Sequence, residues 1–271
     1  MSTTASNIRL GLIGAGNMAS AMVTGWVRAD PSLADRIIVS DRGSGRAAAL
    51  AGSTGCRAVT DNGVVVDESD VVILCVKPID IENVARELSD RIHSNCVVAS
   101  VAAGVQTATI ENLLEERVAV LRFMPNVPVR VNSGTLVYAH GRTRNDIATV
   151  ALEVFGLLGT TVQLEERLFD AATAVSGSGP AFFGLVVEAF EDAAIVSGLS
   201  ANVARELAVT TMVGTAEMLT QENLSCGELR RMVTSPGGTA AAGLAHMERS
   251  SVRGSIIDAV VAARDRAREL G

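Results

Sequence analysis

Between a run of apolar residues and a helical pattern, the segment IRLGLIGAGNMASAM places Gly11, Gly14, Gly16 and Ala19. In the spacing G-x-G-x-x-A, Gly14 permits a tight turn, Gly16 keeps a Cβ out of the path of a pyrophosphate, and Ala19 allows close helix packing. The N-terminus of the following helix then presents backbone N–H groups to negative charge. That chemistry is dinucleotide binding. The next strand-like run, RIIVSD, ends at Asp41, near the ~20-residue interval expected of a ribose contact. Asp41 suits the 2′-hydroxyl of NAD, whereas Arg42 and Arg46 suit the 2′-phosphate of NADP, so NADPH and NADH both stay open.

A second chemical segment, VSGSGPAFF, holds Ser176, Gly177, Ser178 and Pro180 and reads as a glycine-rich turn that opens a helix. In 3-hydroxyacid dehydrogenases a lysine follows such a turn and polarises the substrate carbonyl. Here Phe183 takes that place, Lys77 is the sole lysine in the chain, and arginine is a poor proton donor at neutral pH. Carbonyl reduction therefore lacks its usual acid. An imine can arrive already protonated on nitrogen, so an acid-poor site suits it, and catalysis becomes a matter of positioning. A third segment, TSPGGT, carries Ser235, Gly237, Gly238 and Thr239 ahead of a helix starting near Ala240. Its N–H groups at Gly238, Thr239 and Ala240 are expected to point outward, an arrangement suited to a carboxylate.

The elements that must position these turns fall into two parts. Up to residue 164 short β-branched runs alternate with helical stretches, and strands are expected over 8–13, 36–40, 71–76, 96–101, 118–123, 134–139 and 161–164. Several of these runs are apolar on both faces, the mark of a parallel sheet covered by crossover helices. The expectation is an α/β Rossmann-type domain with a mostly parallel, doubly wound sheet over 1–164, followed by an all-α dimerisation and substrate domain over 165–271. Helices are expected over 180–197, 202–220, 226–233, 239–248 and 251–270. The first of these is apolar around much of its circumference, more than a helix on a monomer surface should be, and is expected to lie in a subunit interface.

Composition removes several other classes of function. A formal net charge of −7 and only eight aromatic residues speak against a nucleic-acid partner. No apolar run approaches the roughly 18 to 20 residues that span a bilayer, and the N-terminus shows no basic-then-apolar leader, so no membrane partner and a cytoplasmic location are expected. Cys56, Cys75, Cys96 and Cys226 are spaced too widely for a metal knuckle and are expected to be reduced core thiols. His93, His140 and His246 lie in unrelated segments, and no metal is expected.

Together, IGAGNMA at 13–19, CVKP at 75–78, SVAAGV at 100–105, RFMPNVP at 122–128, AVSGSGPAFF at 174–183 and VTSPGGTAAAGL at 233–244 resemble the pyrroline-5-carboxylate reductase family over nearly the whole chain. The resemblance implies NAD(P)H-dependent reduction of L-1-pyrroline-5-carboxylate to L-proline, the last step of proline biosynthesis, in homodimers that often assemble into decamers. By position it implies cofactor contacts from Gly14, Ala15, Gly16, Asn17 and Met18 at the pyrophosphate, and from Arg42 and Arg46 near the adenosine ribose. Val76, Lys77, Pro78, Ala102, Ala103, Asn126 and Pro128 would border the nicotinamide half. Ser176, Gly177, Ser178, Pro180, Ser235, Gly237, Gly238, Thr239 and Ala240 would hold the substrate, with Ser178, Thr239 and Ala240 at the catalytic positions. The family usually reads MPNTP and SPGGTT or SPGGAT, so Val127 and Ala240 depart from it. The last family threonine supplies a hydroxyl to the substrate nitrogen. Two alternatives follow from that loss: a paralogue for another cyclic imine carboxylate, and a catalytically silent dinucleotide sensor.

Overall fold

The computed structural model describes residues 8–92, 96–142 and 146–270; His93 lies outside them. Contacts divide the chain into one compact unit formed by the described residues up to 178 with those from 263 onward, and a second over Gly179–Ala262.

The first unit is built on one sheet, in the order β3-β2-β1-β4-β5-β6-β7-β8. Its strands are β1 (Leu10–Ile13), β2 (Ile37–Ser40), β3 (Arg57–Val59), β4 (Val71–Leu74), β5 (Val97–Ser100), β6 (Ala119–Pro125), β7 (Gly134–His140) and β8 (Gly159–Gln163). Helices α1 (Asn17–Ala29), α2 (Arg46–Thr54), α3 (Asn62–Asp67), α4 (Ile81–Leu88), α5 (Thr107–Glu111) and α6 (Asp146–Gly156) connect them. The strands from β1 to β6 pair in parallel, β7 runs antiparallel to β6, and β8 runs parallel to β7. The reversal at β7 follows from the short link over 126–133, since a parallel return needs a crossover of about a dozen residues or more.

Every residue of β1, β2, β4 and β5 is buried, because helices cover both faces of the sheet. On one face Leu10, Leu12, Trp26, Phe123 and Phe155 share a core. Phe123 stacks on Phe155 with centroids 3.8 Å apart, and Trp26 meets Phe155 edge-on while its indole N–H donates to the Val154 carbonyl. On the other face Ile13, Leu74, Ile81, Val98 and Val120 form a second core. The sheet is thus doubly wound. Its order reverses between β2-β1 and β4-β5, which opens the crevice at the carboxyl ends of β1 and β4 where such folds bind ligands.

Beyond β8 follow α7 (Phe169–Ala172), a π-helical turn (Thr173–Gly177), and α8 (Gly179–Val196), α9 (Ala201–Gln221), α10 (Cys226–Val233), α11 (Thr239–Arg249) and α12 (Val252–Leu270). Ser225 starts α10 with a full capping box, its hydroxyl accepting from Glu228 N–H while the Glu228 carboxylate accepts from Ser225 N–H. Helix α8 and its successors over Gly179–Ala262 bury only Gly179 and Ala204 among the described residues, leaving Phe183, Leu185, Phe190 and Val196 exposed. For the same reason Cys226 is exposed at the start of α10 and not a core thiol as expected, whereas Cys56 and Cys96 are buried. No helix among the described residues is long and apolar enough to cross a membrane.

Candidate active site

At the end of β1 the chain turns through Gly14, whose φ of +101° is left-handed backbone and whose Cβ would press on the Cys75 carbonyl. Only glycine fits. Gly16 differs: a Cβ there would meet nothing within 4 Å, so the space above it is an open cradle. Gly16 caps α1 in extended conformation, no acidic residue sits in the first turn, and the first N–H groups of a helix lack intrahelical acceptors. Ala15, Gly16, Asn17 and Met18 therefore frame an anion-binding helix start, with Ala19 fully buried behind it. A cleft of about 360 Å³ opens there, lined by Gly14, Ala15, Gly16, Asp41, Arg42, Arg46, Val76 and Lys77 among others. The arrangement fits a dinucleotide.

Within this cleft Asp41 is held by its own loop. One of its oxygens accepts from the Gly43 and Ser44 N–H groups at 2.8 and 3.0 Å. The other accepts from the Ala47 N–H at 2.7 Å and the Ser44 hydroxyl at 2.9 Å. These four donors, Ala47 foremost, hold its carboxyl below the usual carboxylate range. A carboxylate has about four acceptor positions, so Asp41 is fully used in closing its own loop onto α2. Arg42 and Arg46 remain exposed on the cleft, Arg42 paired with Glu87 at 3.3 Å.

Toward the other end, Val76 is half-buried and Lys77 and Pro78 are exposed. Cys75 beside them has its thiol pushed well above the ordinary range by burial. After β5, the Ala102 N–H donates to the buried Ser100 hydroxyl at 3.3 Å, and Ala103 is exposed. Asn126 is buried with its amide committed at both ends: it donates to the Ser176 carbonyl at 3.0 Å and accepts from Thr135 N–H at 2.8 Å. Both of these bonds are to backbone groups. Pro128 likewise supplies its carbonyl to Ser133 N–H.

The SGSGP segment departs from the sequence reading. It is not an open turn: Thr173–Gly177 forms a π turn, in which Ser178 N–H donates to Thr173 C=O in the i to i+5 pattern, and α8 begins at Gly179. The Ser176 hydroxyl is spent on the Ala172 carbonyl, whereas Ser178 is half-buried and its hydroxyl has no protein partner among the described residues. A Cβ on Gly177 would lie 3.4 Å from Met124 and from Thr173, and π turns of this kind gather at functional sites. Pro180 sits in the first turn of α8.

In the second unit, the TSPGGT turn passes through Gly237 at φ +69°, and a Cβ on Gly238 would collide with the Ser235 side chain. Gly238 N–H donates to the Ser235 carbonyl, so it is not one of the outward N–H groups expected. Those groups belong to the first three residues of α11, Thr239, Ala240 and Ala241, with no acidic side chain in that turn. Two residues that the sequence reading missed, Glu166 and Arg122, lie against the first unit's turns; an arginine inside an apolar strand was the signal.

The fold and the cradle define an oxidoreductase that works with a nicotinamide dinucleotide, and residues 9–104 match the family model described as NADP oxidoreductase coenzyme F420-dependent. Residues 166–270 match the model described as pyrroline-5-carboxylate reductase dimerisation. A pyrroline-5-carboxylate reductase of Methanosarcina acetivorans is 40% identical, over 98% of both chains. The solved reductase of Coxiella burnetii superposes with a TM-score of 0.88 at 33% identity, covering 97% of this chain and 98% of that one. That of Plasmodium falciparum, solved with NADP bound, gives 0.86 at 26% identity over 98% of each. The chain belongs to the pyrroline-5-carboxylate reductase family, and its helical region is built to pair with a second copy.

Proposed function

We propose that the protein reduces L-1-pyrroline-5-carboxylate to L-proline and prefers NADPH to NADH. The observation that carries the reading is full-length membership of the family with both glycine turns in place. The saturated carboxylate of Asp41 supports the cofactor preference, because a 2′-hydroxyl would find no acceptor there while Arg42 and Arg46 remain for a phosphate.

NADPH, when bound, supplies the hydride that adds to the carbon of the substrate's C=N bond. The chain's own groups orient the partners. No acid is needed in the transition state when the imine nitrogen has already taken its proton from water, in keeping with a chain whose sole lysine lies exposed in the cofactor cleft. In the second unit the N–H groups of Thr239 and Ala240, presented by the turn of Ser235, Gly237 and Gly238, are the donors for the substrate carboxylate, and Pro180 sits in the first turn of α8; in the first unit Ser178 offers a hydroxyl beside Ser176 and Gly177. Residues 1–164 bind the dinucleotide; 165–271 join the subunits, as dimers that assemble into decamers in the cytoplasm, without nucleic-acid or membrane partners.

The test is one cuvette of purified protein, NADPH and pyrroline-5-carboxylate, followed at the nicotinamide absorbance. Substrate-dependent oxidation of NADPH is expected, slower with NADH and with the six-membered imine acid. Faster turnover of the six-membered substrate would assign the chain to the paralogue, and no turnover with any cyclic imine would make it a silent sensor.

A further inference from the structure

Strand β6 contributes to both cores, yet Arg122 within it is charged and only 7% of its side chain is exposed. A guanidinium withdrawn from water is costly unless its partners are well placed. Arg122 Nη1 donates to Glu166 Oε1 at 3.0 Å, and its guanidinium lies 4.4 Å from the centroid of the Phe169 ring. Glu166, itself 23% exposed, takes two further bonds: Oε1 accepts from the Thr107 N–H at 3.0 Å, and Oε2 from the Thr107 hydroxyl at 2.9 Å.

These contacts join three segments of one compact unit. Thr107 opens α5, so Glu166 caps that helix from 59 residues away. Thr107 is also the far end of the loop carrying Ala102 and Ala103, whose near end is tied by Ala102 N–H to Ser100. Glu166 and Phe169 belong to the stretch that leads into the π turn, and that turn is tied back to β6 through Asn126 and the Ser176 carbonyl. Replacing a buried ion pair by apolar residues is often neutral for stability, so stability alone is a weak reason for Arg122 to be charged.

We propose that Arg122 is a positioning residue for the reduction: through Glu166 it holds the Ala102–Ala103 loop and the Ser176–Ser178 turn in one mutual arrangement. The inference rests on the reading above, in which the loop borders the nicotinamide and the turn the substrate. Neither Arg122 nor Glu166 need touch a reacting atom. A displacement of about 1 Å between reacting partners can cost roughly a hundredfold in rate, and this knot prevents such a displacement.

The decisive variant is the double substitution Arg122→Met with Glu166→Gln, which removes both charges and strands neither. Its kcat for pyrroline-5-carboxylate should fall by about tenfold or more. Its KM for NADPH should stay within about twofold, since the pyrophosphate cradle is untouched. Arg122→Lys keeps the charge and a bond to Glu166, and should recover kcat to within about threefold of the parent, an allowance for the weaker single-point contact of an ammonium. Unchanged kcat in the double variant, a KM for NADPH rising in step with the loss, or an Arg122→Lys variant as slow as the double one would overturn the proposal. If the double variant does not fold, Glu166→Gln alone decides: it leaves Arg122 a neutral acceptor but weakens the tie to both Arg122 and Thr107, so kcat should fall by about threefold or more with KM for NADPH within about twofold, and an unchanged kcat would overturn the proposal. Parent turnover in the same assay separates these outcomes from failure of the activity itself, which would appear in the unaltered protein.

Discussion

A 2′-phosphate arriving at the cleft must draw Arg42 away from Glu87, to which Nη2 donates at 3.3 Å. The two side chains are 64% and 50% exposed, so the pair belongs to the weak surface class, worth about 0.2 to 1 kcal/mol. Glu87→Gln removes that competitor. At about 1.36 kcal/mol per tenfold, the released free energy corresponds to a roughly 1.4- to 5-fold lower KM for NADPH. NADH has no phosphate to gain from the freed guanidinium, so its KM should stay put. Steady-state kinetics with both cofactors measure this directly, and in an Arg42→Ala background Glu87→Gln should lose its effect, as a coupled pair requires. Raising the salt toward 1 M should erase the difference, because screening then acts over about 3 Å. An unchanged KM for NADPH at low salt, or an equal fall for NADH, would refute the assignment of Arg42 to the phosphate.

Gly16→Val should leave the circular dichroism spectrum intact and abolish the fluorescence titration with NADPH, because a Cβ at Gly16 meets no protein atom within 4 Å and the branched side chain fills the cradle; unchanged affinity would show the turn to be merely structural. Ala240→Thr should raise kcat/KM for pyrroline-5-carboxylate by roughly 2- to 12-fold, the worth of one added hydrogen bond of about 0.5 to 1.5 kcal/mol. A fall in activity would mean that the pocket has been rebuilt around the methyl group, and comparison of five- and six-membered substrates would show for which ring.

Legibility in the sequence followed how strongly a residue type is tied to backbone geometry. Gly14 can be read directly, since a positive φ and a close approach leave only glycine, and Gly237 by its positive φ alone. The buried runs of β1, β4 and β5 are equally plain, because strands covered on both faces admit no polar alternation. β3 was missed: Arg57–Val59 is a three-residue edge strand, exposed or half-exposed throughout, with no apolar signal. The π turn was missed because Ser-Gly-Ser-Gly reads as a helix breaker, while the Ser178 N–H bond to Thr173 C=O and the bond from Asn126 to the Ser176 carbonyl hold it helical. The tasks of Asp41 and Asn126 could not be read at all, for their partners are backbone groups, and sequence does not say which carbonyl or N–H lies nearby.

That last point bears on how the site works. Asp41, Asn126, Ser176 and Glu166 are the polar side chains one would enlist for recognition, and each is committed to backbone groups in this fold. What faces outward instead is backbone: the first N–H groups of α1 in one unit and of α11 in the other. Backbone donors suit a phosphate or a carboxylate, and they cannot titrate, so neither anion site carries a protonation step of its own. A carbonyl substrate would need an acid that such a site does not provide. A cyclic imine carboxylate brings both what the backbone can hold, its carboxylate, and the proton that the chain has no lysine in place to give. Under the proposed function, the alanine at 240 removes one side-chain hydroxyl, while the main-chain donors at the start of α11 stay in place whatever the side chain.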